Sequence, residues 1–175
     1  MSNIVLIQES CVIQKVDAIV NAANSMLFEG GGVCQAIFSS AGSSELAKEC
    51  SKYKTPLKDG SAVITSSCRM KNCKAIIHAV GPDFRVKKDA FDELRDAYYN
   101  SMTVLKDNGY HSIAFPLISS SIFAGDLKHP VAESTKQCKR VYKKFTEEYP
   151  DYDIDVKLCV FSTRDWDEAK TEFDS

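Results

Sequence analysis

Apolar residues in this sequence occur in short runs, and amphipathic segments separate one run from the next. Runs that are apolar at nearly every position and four to six residues long are typical of strands buried on both faces. The predicted strands are Ile4–Ile7, Ala18–Val20, Ala62–Thr65, Ala75–Val80, Ile113–Leu117 and Val156–Phe161.

The intervening segments carry apolar side chains three and four residues apart, which is the spacing of one helix face. The predicted helices are the stripe Phe91–Leu105 ending at Asn108-Gly109, the stripe Val131–Tyr149, a segment from about residue 31 through Ile37, and the region around Trp166 and Phe173. Strands that alternate with helices predict an α/β protein with a mostly parallel sheet between two helical layers.

The composition is that of an ordinary globular domain, with 44% hydrophobic and 26% charged residues in 175. The sequence has no internal repeat or linker, so we predict a single domain over residues 1–175. A net charge of −2 argues against a basic nucleic-acid-binding face. Any bound phosphate should therefore be held mainly by backbone N–H groups and helix N-termini.

The seven cysteines are scattered without a CxxC pair, and the three histidines do not lie near them at zinc-ligand spacing. We therefore expect no metal or other cofactor, and a reducing compartment. The first ten residues lack the features of a signal peptide, and the apolar runs are too short to span a bilayer. The sequence thus predicts a cytoplasmic protein with no membrane contact, and we expect a monomer.

Small and polar residues follow the predicted strands, at the edge where open α/β sheets bind ligands. After Ala18–Val20 the chain reads Asn21-Ala22-Ala23-Asn24, and Gly30-Gly31-Gly32 then leads into a helix. Glycines at a helix start can expose N–H donors to a phosphate, although the same run also suits a plain turn. The pattern matches neither GxGxxG nor GxxxxGK[ST], which argues against a Rossmann or P-loop site.

A second such loop, Ser119–Gly125, follows the strand Ile113–Leu117, and Val80-Gly81-Pro82 makes a third sharp turn. The second loop carries the large apolar pair Ile122-Phe123. These two side chains either rejoin the core or pack against a ligand.

Five ordered segments carry a family resemblance: VDAIVNAAN (16–24), GGGV (30–33), IIHAVGP (76–82), IAFPLISSSIF (113–123) and CVF (159–161). In order and spacing they resemble the motifs of macro domains, and together they span nearly the whole chain. The resemblance implies a three-layer α/β/α sandwich with a mixed, mostly parallel central sheet. It also implies an ADP-ribose-binding cleft.

The resemblance assigns roles by position. Asp17 would accept a hydrogen bond from the adenine amino group, with Ile19 beneath the ring and Phe161 packed beside it. From the residues alone, Asp17 fits a solvent-facing carboxylate at a strand edge equally well. Phe161 at a strand end is more often a core residue. Asn24 and Gly32 are the candidate catalytic residues, because they would orient the distal ribose. The full predicted contact set is Asp17, Ala18, Ile19, Asn21, Ala22, Asn24, Gly30, Gly31, Gly32, Val33, Cys34, Leu117, Ser119, Ser120, Ser121, Ile122, Phe123 and Phe161.

The sequence departs from the family pattern in three places. Ser121 stands where the second loop usually has glycine; a positive φ there would cost about 1–2 kcal/mol. Glu9-Ser10-Cys11 replaces Gly-Asp-Ile after the first strand. Cys34-Gln35 replaces the acidic residue that often follows GGGV, a feature that resembles viral-type macro domains.

The resemblance implies an enzyme that removes mono-ADP-ribose from acidic side chains of modified proteins, with ADP-ribose and mono-ADP-ribosylated proteins as partners. Three alternatives stay open: a non-catalytic reader, a phosphatase of ADP-ribose-1″-phosphate, and a binder of single-stranded RNA or poly(ADP-ribose). The acidic net charge disfavours the last. We interpret His78, within a buried strand, as a structural histidine.

Overall fold

Six strands form one sheet in the computed structural model, which describes residues 1–175. In chain order they are β1 Asn3–Ile7, β2 Ala18–Ala23, β3 Ala62–Ser66, β4 Ala75–Val80, β5 Ser112–Phe115 and β6 Asp155–Cys159. Their order across the sheet is β1-β6-β5-β2-β4-β3. Every pair is parallel except β3 with β4, which is antiparallel.

Five helices cover the sheet: α1 Val33–Ala41, α2 Ser43–Cys50, α3 Phe91–Asp107, α4 Pro130–Glu148 and α5 Thr163–Asp174. The pair α1 and α2 packs on one face, α3 and α4 pack on the other, and α5 packs against α4. This is the three-layer α/β/α arrangement with a mostly parallel mixed sheet, so the predicted fold class is confirmed. None of the helices has both the length and the apolar character needed to cross a membrane.

The two-residue period of the strands divides their side chains between two cores. In β2, Ala18 and Val20 join the cluster beneath α3 and α4, whereas Ile19 and Ala23 join the cluster beneath α1 and α2. All four are buried. Because both faces are covered, the strand reads as a continuous apolar run, and this explains why it could be recognised in the sequence.

Several element ends differ from the predicted ones for local reasons. The strand expected to reach Leu117 stops at Phe115, directly before Pro116, which has no N–H to donate to a neighbouring strand. The helix expected to end at Ile37 continues to Ala41, and Gly42, at a φ of 94°, closes it. The helix starts at Val33 because Gly32, at a φ of 61°, is not helical.

The topology determines where a ligand can bind. The strands β1, β6, β5 and β2 are consecutive neighbours and all parallel, so their carboxyl ends meet at one edge of the sheet. The loops that leave those ends therefore lie side by side.

Candidate functional site

A cleft of about 580 Å³ opens at this edge of the sheet. Its walls are the segments that follow β1, β2, β5 and β6, together with the start of α1 and the first turn of α5. We call residues 30–32 the glycine loop and residues 117–123 the serine loop. Both line the cleft.

The glycine loop supplies unpaired N–H donors. Gly32 has φ 61° and ψ −132°, a conformation that L-residues rarely adopt, and no side chain caps the helix that it begins. The backbone N–H groups from Gly31 to Gln35 have no hydrogen-bond partner within the protein. They project from a helix N-terminus, where the helix dipole also favours negative charge.

Two side chains hold the segment that leads into the glycine loop. The amide of Asn24 accepts a hydrogen bond from the N–H of Phe28 at 3.0 Å and donates one to its carbonyl at 2.9 Å. The thiol of Cys34 accepts from the N–H of Gly30 at 3.3 Å and contacts the same Phe28 carbonyl at 3.7 Å. The buried Cys34 thus ties the loop to the first turn of α1.

The serine loop turns sharply at Ser119, which has a φ of 58°. Its hydroxyl donates to the carbonyl of Pro82 at 2.7 Å, so the left-handed backbone is stabilised by a buried hydrogen bond. Ser121, where a positive φ would have been costly for serine, has a φ of −114°. Serine at this position therefore carries no such cost, because the positive φ occurs two residues earlier, at Ser119.

The root of the serine loop is fixed by two helices. The hydroxyl of Tyr98 on α3 accepts from the N–H of Ile118 at 3.0 Å, and the hydroxyl of Ser134 on α4 donates to the Ile118 carbonyl at 2.6 Å. The two hydroxyls lie 2.5 Å apart and are buried. Burial raises the pKa of Tyr98 well above its ordinary value. Sequence reasoning missed both residues, because each lies inside a helix and is separated from Ile118 by 16 or 20 residues along the chain.

No lysine or arginine lines the cleft, and its only carboxylates are Glu9 and Asp165. The N–H groups of Ser119 to Phe123, like those of the glycine loop, have no partner within the protein. Backbone N–H groups without protein partners thus lie on both loops that line the cleft, and the cleft has no cationic side chain. That backbone groups hold a phosphate here stays a prediction.

Large apolar side chains stand at the rim. Phe161, beyond the end of β6, is 75% exposed, and Ile122 is 70% exposed. Phe123 lies with its ring 5.6 Å from the Arg85 guanidinium, which is paired with Asp83. The side chains of Ile122 and Phe161 do not rejoin the core, and they remain available to a ligand.

Asp17 lies outside the cleft, which corrects its predicted position. It precedes β2, at the amino end of a strand whose length of about 20 Å separates it from the cleft. Its carboxylate accepts from the N–H groups of His111 and Ser112 and pairs with Lys74 at 3.2 Å. Partial burial works to raise the pKa of Asp17, but these hydrogen bonds and the lysine outweigh it and lower the pKa. Asp17 therefore joins the amino ends of β2 and β5.

Three further predicted contact residues, Ala18, Ile19 and Asn21, are also outside the cleft. They lie within β2, between β4 and β5, and the helical layers bury them completely or nearly so. Asn21 donates to Nδ1 of His78 at 3.1 Å, while its Oδ1 has no partner.

His78 is a buried structural residue, as interpreted from the sequence. Its Nε2 lies 3.0 Å from the Thr65 hydroxyl, and Nδ1 accepts the hydrogen bond from Asn21. Burial lowers the pKa of His78 from 6.5 to about 4, so the ring is neutral at pH 7.

The other predicted contact residues do meet in the cleft: Ala22, Asn24, Gly30, Gly31, Gly32, Val33, Cys34, Leu117, Ser119, Ser120, Ser121, Ile122, Phe123 and Phe161. Residues missed in the sequence line its other side: Glu9, Ser10, Cys11, Pro116, Cys159, Val160, Ser162 and Asp165. Most of these follow β1 and β6, so the rule that ligands bind beyond strand ends could have found them.

Comparison with known proteins agrees with this geometry. The signature of the macro domain family matches residues 20–135, and the chain belongs to that family. It is 44% identical over 139 residues to an uncharacterized protein of Fusobacterium nucleatum, covering 79% of this chain and 75% of that one. It is 46% identical over 112 residues to an O-acetyl-ADP-ribose deacetylase of Escherichia fergusonii, covering 62% of each.

A mammalian relative is the ADP-ribose glycohydrolase MACROD1 of Mus musculus, 36% identical over 153 residues, which are 86% of this chain but 45% of the mouse protein. Among solved structures, the Oceanobacillus iheyensis macrodomain with ADP superposes with a TM-score of 0.88 at 28% identity, covering 99% of this chain and 90% of that one. The Trypanosoma brucei macrodomain in complex with ADP-ribose superposes with a TM-score of 0.83 at 26% sequence identity. The match covers 96% of this chain and 68% of that one.

Proposed function

We propose that the protein binds ADP-ribose in the cleft and hydrolyses ester-linked adducts of its distal ribose. The observation that carries the proposal is the double row of unpartnered backbone N–H donors, from Gly31 to Gln35 and from Ser119 to Phe123. Such donors suit a diphosphate, since they need no cationic side chain and the cleft has none.

The rest of the ligand follows from the strand order. The loops after β6 and β2 are two strands apart, about 10 Å, with the serine loop of β5 between them. Adenine would stack on Phe161 at the β6 end, and the diphosphate would cross over β5. The distal ribose would then lie beside Asn24 and Gly32.

Turnover would depend on positioning rather than on a protein base. Glu9 and Asp165 lie at the β1 and β6 side of the cleft, away from Asn24. The thiol of Cys34 is engaged with the glycine-loop backbone. A water molecule held near the diphosphate would attack the ester carbonyl, and the bond between the acyl carbon and the ribose oxygen would break. The carboxylic acid would leave, and a proton of the water would end on the ribose hydroxyl. The loop N–H groups would stabilise the negative charge that develops.

Relatives named O-acetyl-ADP-ribose deacetylase and ADP-ribose glycohydrolase suggest two substrates for this chemistry. Acetyl esters and mono-ADP-ribose esters of glutamate or aspartate share one feature, a carboxylic ester on the distal ribose. We propose that removal of mono-ADP-ribose from acidic side chains is the main activity and that deacetylation is the second candidate.

Calorimetric titration with ADP-ribose, beside AMP and NAD, tests the binding step. We expect micromolar affinity, about −6 to −9 kcal/mol. An absence of both heat and thermal shift at millimolar ADP-ribose would contradict the proposal.

Release of ADP-ribose from a glutamate-linked modified protein, and of acetate from O-acetyl-ADP-ribose, tests the reaction. Asn24→Ala should lower the rate about 100-fold or more, because the ribose loses its orientation. Affinity for ADP-ribose should fall by only about 0.5–1.5 kcal/mol. A wild-type protein that binds ADP-ribose but releases neither product would be a reader.

A further inference from the structure

The backbone N–H and C=O of Ile118 are held in a closed ring of hydrogen bonds with two buried hydroxyls. Ser134 donates to the Ile118 carbonyl at 2.6 Å, and Tyr98 accepts from the Ile118 N–H at 3.0 Å. The Ser134 proton is thereby used, so the 2.5 Å contact between the hydroxyls must have Tyr98 as its donor. Each hydroxyl donates once and accepts once, and one proton arrangement satisfies the ring.

This ring lies directly before the strained residue of the serine loop. Ser119, the next residue, has a φ of 58°. Its hydroxyl bonds to Pro82, and a methyl group on Gly81 would approach the Ser119 hydroxyl to 2.5 Å. The chain is thus fixed on both sides of the turn, by α3 and α4 at Ile118 and by the turn after β4 at Ser119.

We propose that Tyr98 and Ser134 are positioning residues that aim the N–H groups of Ser119–Phe123 into the cleft. Neither residue lines the cleft. A left-handed serine relaxes readily toward ordinary backbone geometry unless its neighbours hold it. Without the ring, those N–H groups would sample several orientations, and the diphosphate would have to select the productive one.

Both helices offer matched controls. Thr135 follows Ser134 on α4, is equally buried, and bonds to its own helix at Val131. Ser101, one turn after Tyr98 on α3, is also buried and bonds to Ala97. Removing either hydroxyl costs a buried hydrogen bond but leaves the serine loop untouched.

The experiment compares Tyr98→Phe and Ser134→Ala with Ser101→Ala and Thr135→Val by ADP-ribose titration and thermal melting. We expect the first pair to weaken binding about tenfold and the second pair to leave it within about twofold. The double variant Tyr98→Phe/Ser134→Ala should lose much less than the product of the single losses, because one ring is broken in each case.

Amide hydrogen exchange provides a readout without ligand. Exchange at Phe84 and Ala124, whose N–H groups bond to the serine-loop carbonyls of Phe123 and Ser121, should accelerate in Ser134→Ala relative to Thr135→Val. Unchanged affinity in the first pair, or affinity losses in all four variants that follow their melting temperatures, would overturn the positioning role.

The inference rests on the proposed function only in using ADP-ribose as the probe. A wild type that fails to bind would overturn the proposed function, and the exchange comparison would then decide on the ring alone. Equal exchange in Ser134→Ala and Thr135→Val would in that case overturn the positioning role of the ring.

Discussion

The two loops of the cleft present the same chemical groups but are held in place by different means. The glycine loop is fixed locally, since Asn24 and Cys34 bond to residues four to six positions away. The serine loop is fixed from a distance, by Tyr98 and Ser134, which lie 20 and 16 residues from Ile118. The backbone N–H groups of the glycine loop are therefore held by nearby residues, and those of the serine loop are held by the packing of two helices.

The difference has a consequence for how each loop responds to mutation. A loop held by hydrogen bonds to nearby residues is disturbed mainly by changes within its own segment. A loop clamped by packed helices is also sensitive to changes in the core, because the helices and the loop must keep one relative position. The following experiments test this contrast.

Acid should have the largest effect, through His78 on β4, which bonds to Asn21 on the strand that leads into the glycine loop. Folded His78 has a pKa of about 4, against 6.5 when unfolded, so between these values only the unfolded chain binds the proton. The contribution of neutral His78 to the free energy of unfolding should be complete above pH 6.5 and fall by roughly 3 kcal/mol as the pH drops to 4. Chemical denaturation at several pH values measures it. In His78→Gln the free energy of unfolding should lack this part of its dependence on pH. An identical dependence in that variant would mean that other groups cause it.

Gly81→Ala should disturb the serine loop without disturbing the glycine loop. The added methyl group would collide with Ile118 and Ser119, at the root of the serine loop. We expect a loss of about 2 kcal/mol in the free energy of unfolding and much weaker ADP-ribose binding. Gly31→Ala is the counterpart in the glycine loop, where a methyl group meets nothing within 4 Å. Its melting temperature should be unchanged; equal destabilisation of both variants would remove the contrast.

Asp17→Asn tests the far end of β2. The variant loses the ion pair with Lys74 and weakens two hydrogen bonds, so stability should fall by about 1–2 kcal/mol. Affinity for ADP-ribose should stay within twofold, because the residue lies outside the cleft. Titration beside urea denaturation measures both quantities, and a selective loss of affinity would return Asp17 to the adenine site.

Phe161→Ala should have the smallest effect on stability, within about 0.5 kcal/mol, because the side chain is 75% exposed. Binding should nevertheless weaken by about 1–3 kcal/mol through the loss of stacking on adenine. Ribose-5-phosphate, which has no base, serves as the control ligand. Equal losses for both ligands would place the adenine elsewhere.

The sequence by itself determined the α/β class, the strands and most of the cleft. Continuous apolar runs require a sheet covered on both faces, and parallel strands bring their following loops to one edge. Asn24, Gly32 and Ser119 to Phe123 could be assigned to the cleft because each directly follows a recognisable strand or opens a helix. Their positions in the fold depend only on the strand or helix next to them in the sequence.

Tertiary structure alone decided the rest. Asp17 and Asn24 belong to one motif, yet the length of β2 puts them at opposite edges of the sheet. The positive φ falls on Ser119 rather than Ser121 because Tyr98, Ser134 and Pro82 hold that turn. The hydroxyls of Tyr98 and Ser134, which lie inside two helices, show no periodic signal of such a role. Their partners are chosen by how the helices pack against the sheet, and local sequence does not encode those distances.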